Sequence, residues 1–233
     1  MTARRARRGL RLPPAIMRLG MREVGRRCLD PALPWQVQRT RLDQVTRISL
    51  LPRRTTVTEQ TIAGLRAEVV SSGAPGSRLT VVHFHGGGYC LGSARMARSW
   101  AAHLSAQTGC RVVLPEYRLA PEHPHPAALQ DARAVIAALS GEADAGPVVM
   151  SGDSAGGGLA LALILAMRDE GQEPPAGCIL LSPWLGFFVG PRTKLEDGQL
   201  GTVPGRLDDP VSGDAEALVD VFLPVPVVEP RPG

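Results

Sequence analysis

A chain of 233 residues, 44% hydrophobic and 21% charged, is long enough to bury one α/β core with a small appendage, which excludes a disordered tail or a small disulfide scaffold. No apolar run reaches the length of a membrane span, and the opening residues lack the apolar stretch of a signal peptide. The net charge of +4 is gathered at the start, where residues 1–30 hold nine arginines against Glu23 and Asp30, with no aromatic side chain among them to stack on bases. No nucleic-acid partner and no stable membrane insertion are therefore expected. Cys28, Cys90, Cys110 and Cys178 lack paired or metal-type spacing, so reduced thiols in a cytoplasmic chain are expected.

In chain order, residues 1–50 form a basic arm and a helical segment, broken at Pro13-Pro14 and again between Pro31 and Pro34. Trp35, Val37, Leu42, Val45 and Ile48 recur at helical spacing. Residues 51–185 are the expected core. It opens with two β-branched runs joined at Ala63-Gly64, which predicts a hairpin. "RLTVVHFH" then reads as a strand buried on both faces. A helix from near Ser93 to Gly109 follows, then the strand "CRVVLPEY", the helix "PAALQDARAVIAALSG" and the strand "PVVMSG". The helix "GGLALALILAMRDEG" and the strand "GCILLSP" complete the alternation. Such alternation predicts a mostly parallel sheet with helices on both faces. Residues 186–233 carry Gly, Pro and acids without clear periodicity, and only "AEALVDVFL" suggests a short helix.

Two glycine clusters carry the chemistry. "GDSAG", from Gly152 to Gly156, has the form G-x-S-x-G and lies between a predicted strand and a predicted helix. Gly152, Asp153 and Gly156 frame a turn too tight for side chains two residues either side of Ser154. That turn lifts the Ser154 hydroxyl clear of the sheet, where the N-terminus of the next helix faces it. Gly86, Gly87 and Gly88 follow the strand ending at His85. Glycines let a backbone approach a substrate oxygen and turn N–H groups toward it. Alone, the triplet could cradle a phosphate or merely turn. However, no lysine follows either cluster in the P-loop manner, and no G-x-G-x-x-G is present.

"HGGGY", "YRLAPEHP", "GDSAGGGLA" and "LSPW", with "LPWQVQR" ahead of them, resemble the α/β-hydrolase superfamily, and within it the GDXG, hormone-sensitive-lipase-like esterases, over about residues 30 to 185. The resemblance implies an α/β-hydrolase fold and a carboxylic ester hydrolase acting through an acyl-enzyme on a small-molecule ester. Ser154 would be the nucleophile, and the N–H groups of Gly86, Gly87 and Ala155 the oxyanion hole. His85 would support the loop together with Gly88, and the N-terminal segment would cap the acyl pocket. Neither cofactor nor metal is implied. Glu116 departs from the Asp common before "YRLAPE".

In this fold the triad runs Ser, then Asp or Glu, then His. The five histidines, His83, His85, His103, His123 and His125, all precede Ser154. No triad base or acid is therefore assigned, and Asp208, Asp209, Asp214 and Asp220 are read as surface acids. The expectation is a chain cut short before the last strands. Two further expectations follow: an open apolar edge at Cys178–Leu181 prone to self-association, and a catalytically impaired relative as the alternative to an active esterase.

Overall fold

The computed structural model describes residues 14–30, 32–47, 50–74, 76–142 and 146–185, together with the strand segments Thr193–Glu196, Gln199–Thr202 and Phe222–Leu223. The basic residues before Pro14 and the final "PVPVVEPRPG" lie outside the described residues. The chain divides into two compact units, Met1–Ile48 and Ser49–Gly233.

The first unit holds α1 (Pro14–Cys28) and α2 (Trp35–Thr46). Pro14 opens α1, where its missing N–H costs nothing. The connection is tightened by Asp30, whose Oδ1 accepts the Ala32 N–H at 3.0 Å. Buried Gln38 donates from Nε2 to the Leu33 carbonyl at 2.9 Å, and Arg41 donates to the Arg27 carbonyl at 2.7 Å.

The second unit begins with the expected hairpin, β1 (Thr55–Ile62) and β2 (Leu65–Ser72). Ala63 and Gly64 both take positive φ, +52° and +80°, the pairing a two-residue hairpin turn requires. Then come β3 (Thr80–Phe84), α3 (Ala94–Thr108), β4 (Arg111–Pro115), α4 (Ala127–Ser140), β5 (Val148–Asp153), α5 (Ala155–Asp169) and β6 (Gly177–Leu181). Gly109 ends α3 at φ +71°, returning its N–H to the Ser105 carbonyl at 2.7 Å.

With β9 (Phe222–Leu223), the main sheet runs β1-β2-β4-β3-β5-β6-β9. Its four central strands, β4-β3-β5-β6, are parallel, and the flanking pairs are antiparallel. All five residues of β3 are buried because both faces are covered. Val81 packs with Val112 and Leu114 against Ala97, Ala101 and Ala102 of α3. Val82, Phe84 and Met150 pack on the other face against Val135 and Ile136 of α4 and Leu159 and Leu163 of α5. Burying each such Val, Leu or Phe side chain contributes roughly 1.5–3 kcal/mol.

Two expectations for the C-terminal segment are corrected. The edge of β6 is not open throughout, because Cys178 and Ile179 pair with Leu223 and Phe222. These two residues lie in the run expected to be helical, and the strand pairing supplies the hydrogen bonds a helix would have made internally; the rest of that run lies outside the described residues. The stretch without periodicity also holds a hairpin, β7 (Thr193–Glu196) with β8 (Gln199–Thr202), in a separate sheet. Among the described residues, no helix is long and apolar enough to cross a membrane.

Candidate active site

The parallel pairing of β3 with β5 sets Phe84 opposite Gly152, so the two glycine clusters leave neighbouring strands side by side. Ser154 sits between β5 and α5 at φ +50°, ψ −120°, a strained position for a residue with a side chain. Its N–H donates to the Leu181 carbonyl at 3.0 Å. Its carbonyl accepts from Gly158 at 3.0 Å and from Trp184 at 2.8 Å. The turn is therefore held at both peptide ends, while the residue itself is exposed. Among the described residues, the Ser154 hydroxyl has no hydrogen-bond partner.

The glycines are explained by what a Cβ would strike. At Gly152 it would collide with the backbone of Gly156, as the steric argument from sequence required. At Gly156 it would collide with the carbonyls of Phe84 and His85, a contact that the local turn alone does not reveal. At Gly87 it would enter the Leu91 carbonyl.

The loop after β3 turns through positive φ at Gly87 (+126°), Gly88 (+61°) and Tyr89 (+61°). The Gly87 carbonyl accepts from Cys90 at 3.1 Å and Leu91 at 2.9 Å, closing the loop on itself. His85 braces its base from within the core. Its Nδ1 donates to the Gly86 carbonyl at 2.9 Å, and its ring stacks on Tyr117 with centroids 4.4 Å apart. The Tyr117 hydroxyl in turn donates to the His85 carbonyl at 2.6 Å. Burial lowers the His85 pKa to about 4, so the ring is neutral near pH 7. Burial also raises the Tyr117 pKa, which keeps that phenol protonated as a donor.

One oxyanion expectation changes on this geometry. The Gly86 N–H is turned to Asp153, donating to Oδ1 at 2.9 Å, so it is already occupied. Among the described residues, the N–H groups of Gly87, Gly88 and Ala155 have no acceptor. Burial on its own would raise the Asp153 carboxyl, but the hydrogen bond and charge of His83 and the Gly86 N–H outweigh it and hold the pKa below the ordinary value. Glu116, the departure noted in the sequence, accepts the Ala94 N–H at 3.1 Å at the start of α3, where a negative charge suits the helix end.

No histidine is seated on Ser154. His83 is bound to Ser151 and Asp153, His85 to Gly86, and His103 to the Ser99 carbonyl. His123 and His125 line a cavity of about 520 Å³ that also touches Gly88, Tyr89, Leu129 and Leu159. Nothing in the sequence marks Trp184 as a site residue, yet its ring borders the loop: a Cβ on Gly88 would lie 3.4 Å from its Cζ3.

A parallel core sheet between helices, with a strained serine turn beside a glycine loop, defines an α/β hydrolase. Residues 81–204 match the family model described as alpha/beta hydrolase fold, and the chain belongs to that family. Among solved structures, it is similar to an esterase from the bacterial hormone-sensitive lipase family, with a TM-score of 0.66 and 31% identity, covering 75% of this chain and 59% of that one. LipR of Mycobacterium tuberculosis is 37% identical over 183 residues, 78% of this chain and 55% of LipR. An esterase of Acinetobacter venetianus is 38% identical over 151 residues, 64% of this chain and 49% of that enzyme. The chain thus spans about half the length of these two relatives.

Proposed function

We propose that this chain carries the acyl-transfer site of a carboxylic ester hydrolase, with Ser154 as nucleophile. The observation that carries the reading is the Ser154 hydroxyl, exposed on a strained turn without a partner, beside the unoccupied N–H groups of Gly87, Gly88 and Ala155. Attack of Oγ on the ester carbonyl carbon would place negative charge on the carbonyl oxygen, and these N–H groups would receive it. Collapse of the intermediate would expel the alcohol, whose oxygen takes up the proton given up by Oγ, and leave an acyl-serine, which water would cleave to the acid and the free serine. The 520 Å³ cavity beside Gly88 has the size and largely apolar lining of a small-molecule site. We read the chain as cytoplasmic from its four free cysteines.

A second reading is favoured by the histidines. With none of the five on Ser154, proton removal has no side-chain base at hand among the described residues. On this reading the 233-residue chain is labelled slowly by electrophiles and does not turn over.

The test is a short-chain chromogenic ester and a fluorophosphonate probe, each applied to the chain and to Ser154→Ala. Steady turnover and labelling, both lost in Ser154→Ala, support the first reading. Serine-dependent labelling without turnover supports the second. Labelling that survives Ser154→Ala overturns the assignment of the nucleophile.

A further inference from the structure

Directly behind the nucleophile turn lies a serine–histidine–aspartate array that cannot serve as a triad. His83 of β3 pairs in register with Ser151 of β5. Its Nδ1 is 3.0 Å from the Ser151 Oγ, and its Nε2 is 3.2 Å from Oδ1 of Asp153. Ser151 is fully buried, so no substrate can reach it. The proton positions follow from the partners. An ionised carboxylate only accepts, so Nε2 carries the hydrogen and donates to Asp153. In the neutral ring Nδ1 is then an acceptor, filled by the Ser151 hydroxyl. The residue is 3% exposed and its ring lies against Trp100, with centroids 4.2 Å apart, so it has little freedom to turn away.

The same oxygen, Oδ1 of Asp153, also accepts the Gly86 N–H. Two donors thus converge on one carboxylate oxygen, one from the core strand and one from the glycine loop. We propose that His83, backed by Ser151, is a positioning residue of that loop. It holds the Asp153 carboxylate where the carboxylate grips Gly86, and so fixes the direction of the following peptides at Gly87 and Gly88. The proposal rests on the reading of those peptides as oxyanion donors, but its test does not need turnover.

The test is amide hydrogen exchange by NMR on the ¹⁵N-labelled full chain, with His83→Leu, His83→Gln and Ser151→Ala. Leucine fills space without donating; glutamine can place an amide N–H near the position of Nε2. In His83→Leu the Gly86 amide is expected to exchange about tenfold faster, while Val112 and Leu163 in the core keep their protection. In His83→Gln it should return to within about twofold of the native rate, and in Ser151→Ala it should rise about threefold. A general loosening of the core would move all these amides together and would not be rescued by Gln. If His83→Leu fails to fold, the other two variants decide by the same values. Native Gly86 exchange in His83→Leu, or no restoration by Gln, would reduce His83 to a packing residue. Ser154→Ala separates the two readings: it removes serine labelling and should leave Gly86 exchange as it is.

Discussion

Trp184 holds Ser154 through its backbone and borders Gly88 with its ring. The N–H of Trp184 donates to the Ser154 carbonyl at 2.8 Å, and Cζ3 lies 3.4 Å from where a Gly88 Cβ would stand. One residue, three positions beyond the end of β6, therefore touches both halves of the candidate site. Trp184→Ala keeps the backbone bond and removes the wall. The expected result is a shift of about tenfold in preference toward bulkier phosphonate probes at Ser154, with labelling by the smallest probe little changed. Comparing labelling rates across a size series checks this.

Gly156 is the turn position with least room, since a Cβ there meets two carbonyl groups of the backbone rather than a movable side chain. Gly156→Ala should cost about 3 kcal/mol, the upper part of the range for overpacking. Urea denaturation midpoints of the variant and the native chain measure the difference.

The acid response of the fold should carry the mark of His85. Its folded pKa of about 4 lies below the unfolded value of 6.5, so the unfolded chain binds the proton more tightly. Stability from this group is complete above about pH 6.5 and is lost as pH falls toward 4, by on the order of 3 kcal/mol. Carboxylates as a class also titrate in the lower part of that window. The measurement is therefore the difference in pH dependence between the native chain and His85→Asn, which keeps a donor for the Gly86 carbonyl but does not ionise. The variant should show the flatter profile between pH 6.5 and 4.

Glu68 on β2 is 6% exposed and makes a two-point ion pair with Arg98 on α3. Arg98→Met would strand a buried carboxylate, with an expected loss of about 3 kcal/mol. The double variant Arg98→Met with Glu68→Leu should recover most of it, because the charge and its partner leave together. Thermal unfolding of both variants distinguishes the outcomes.

The core elements were legible because their causes are local. A strand covered on both faces reads as an unbroken apolar run, as at Val81–Phe84, and a two-residue turn is announced by Ala63-Gly64. The need for glycine at Gly152 could also be seen, since the obstructing group is only four residues away. What stayed hidden depends on partners distant in sequence. The collision that forbids a side chain at Gly156 comes from β3, and the direction of the Gly86 N–H is set by Asp153. His83 alternates with Phe84 and His85 as any buried strand residue would; only the register with β5 reveals its two partners. Phe222 and Leu223 read as helix in the sequence for the same reason, because their strand character exists only against Cys178 and Ile179.

The pairing of β3 with β5 also sets a timetable. His83 and Ser151 are 68 positions apart, and the loop between them must close before the serine turn and the glycine loop can meet. Closing a loop of that length carries an entropy cost that the strand pairing and the packing around it offset. During synthesis, β1, β2, β3 and β4 can emerge and pair while Ser154 is still unmade. On the proposed function, the serine turn and the glycine loop meet only once β3 and β5 have paired, so a nascent chain that still lacks that pairing would expose an inert serine.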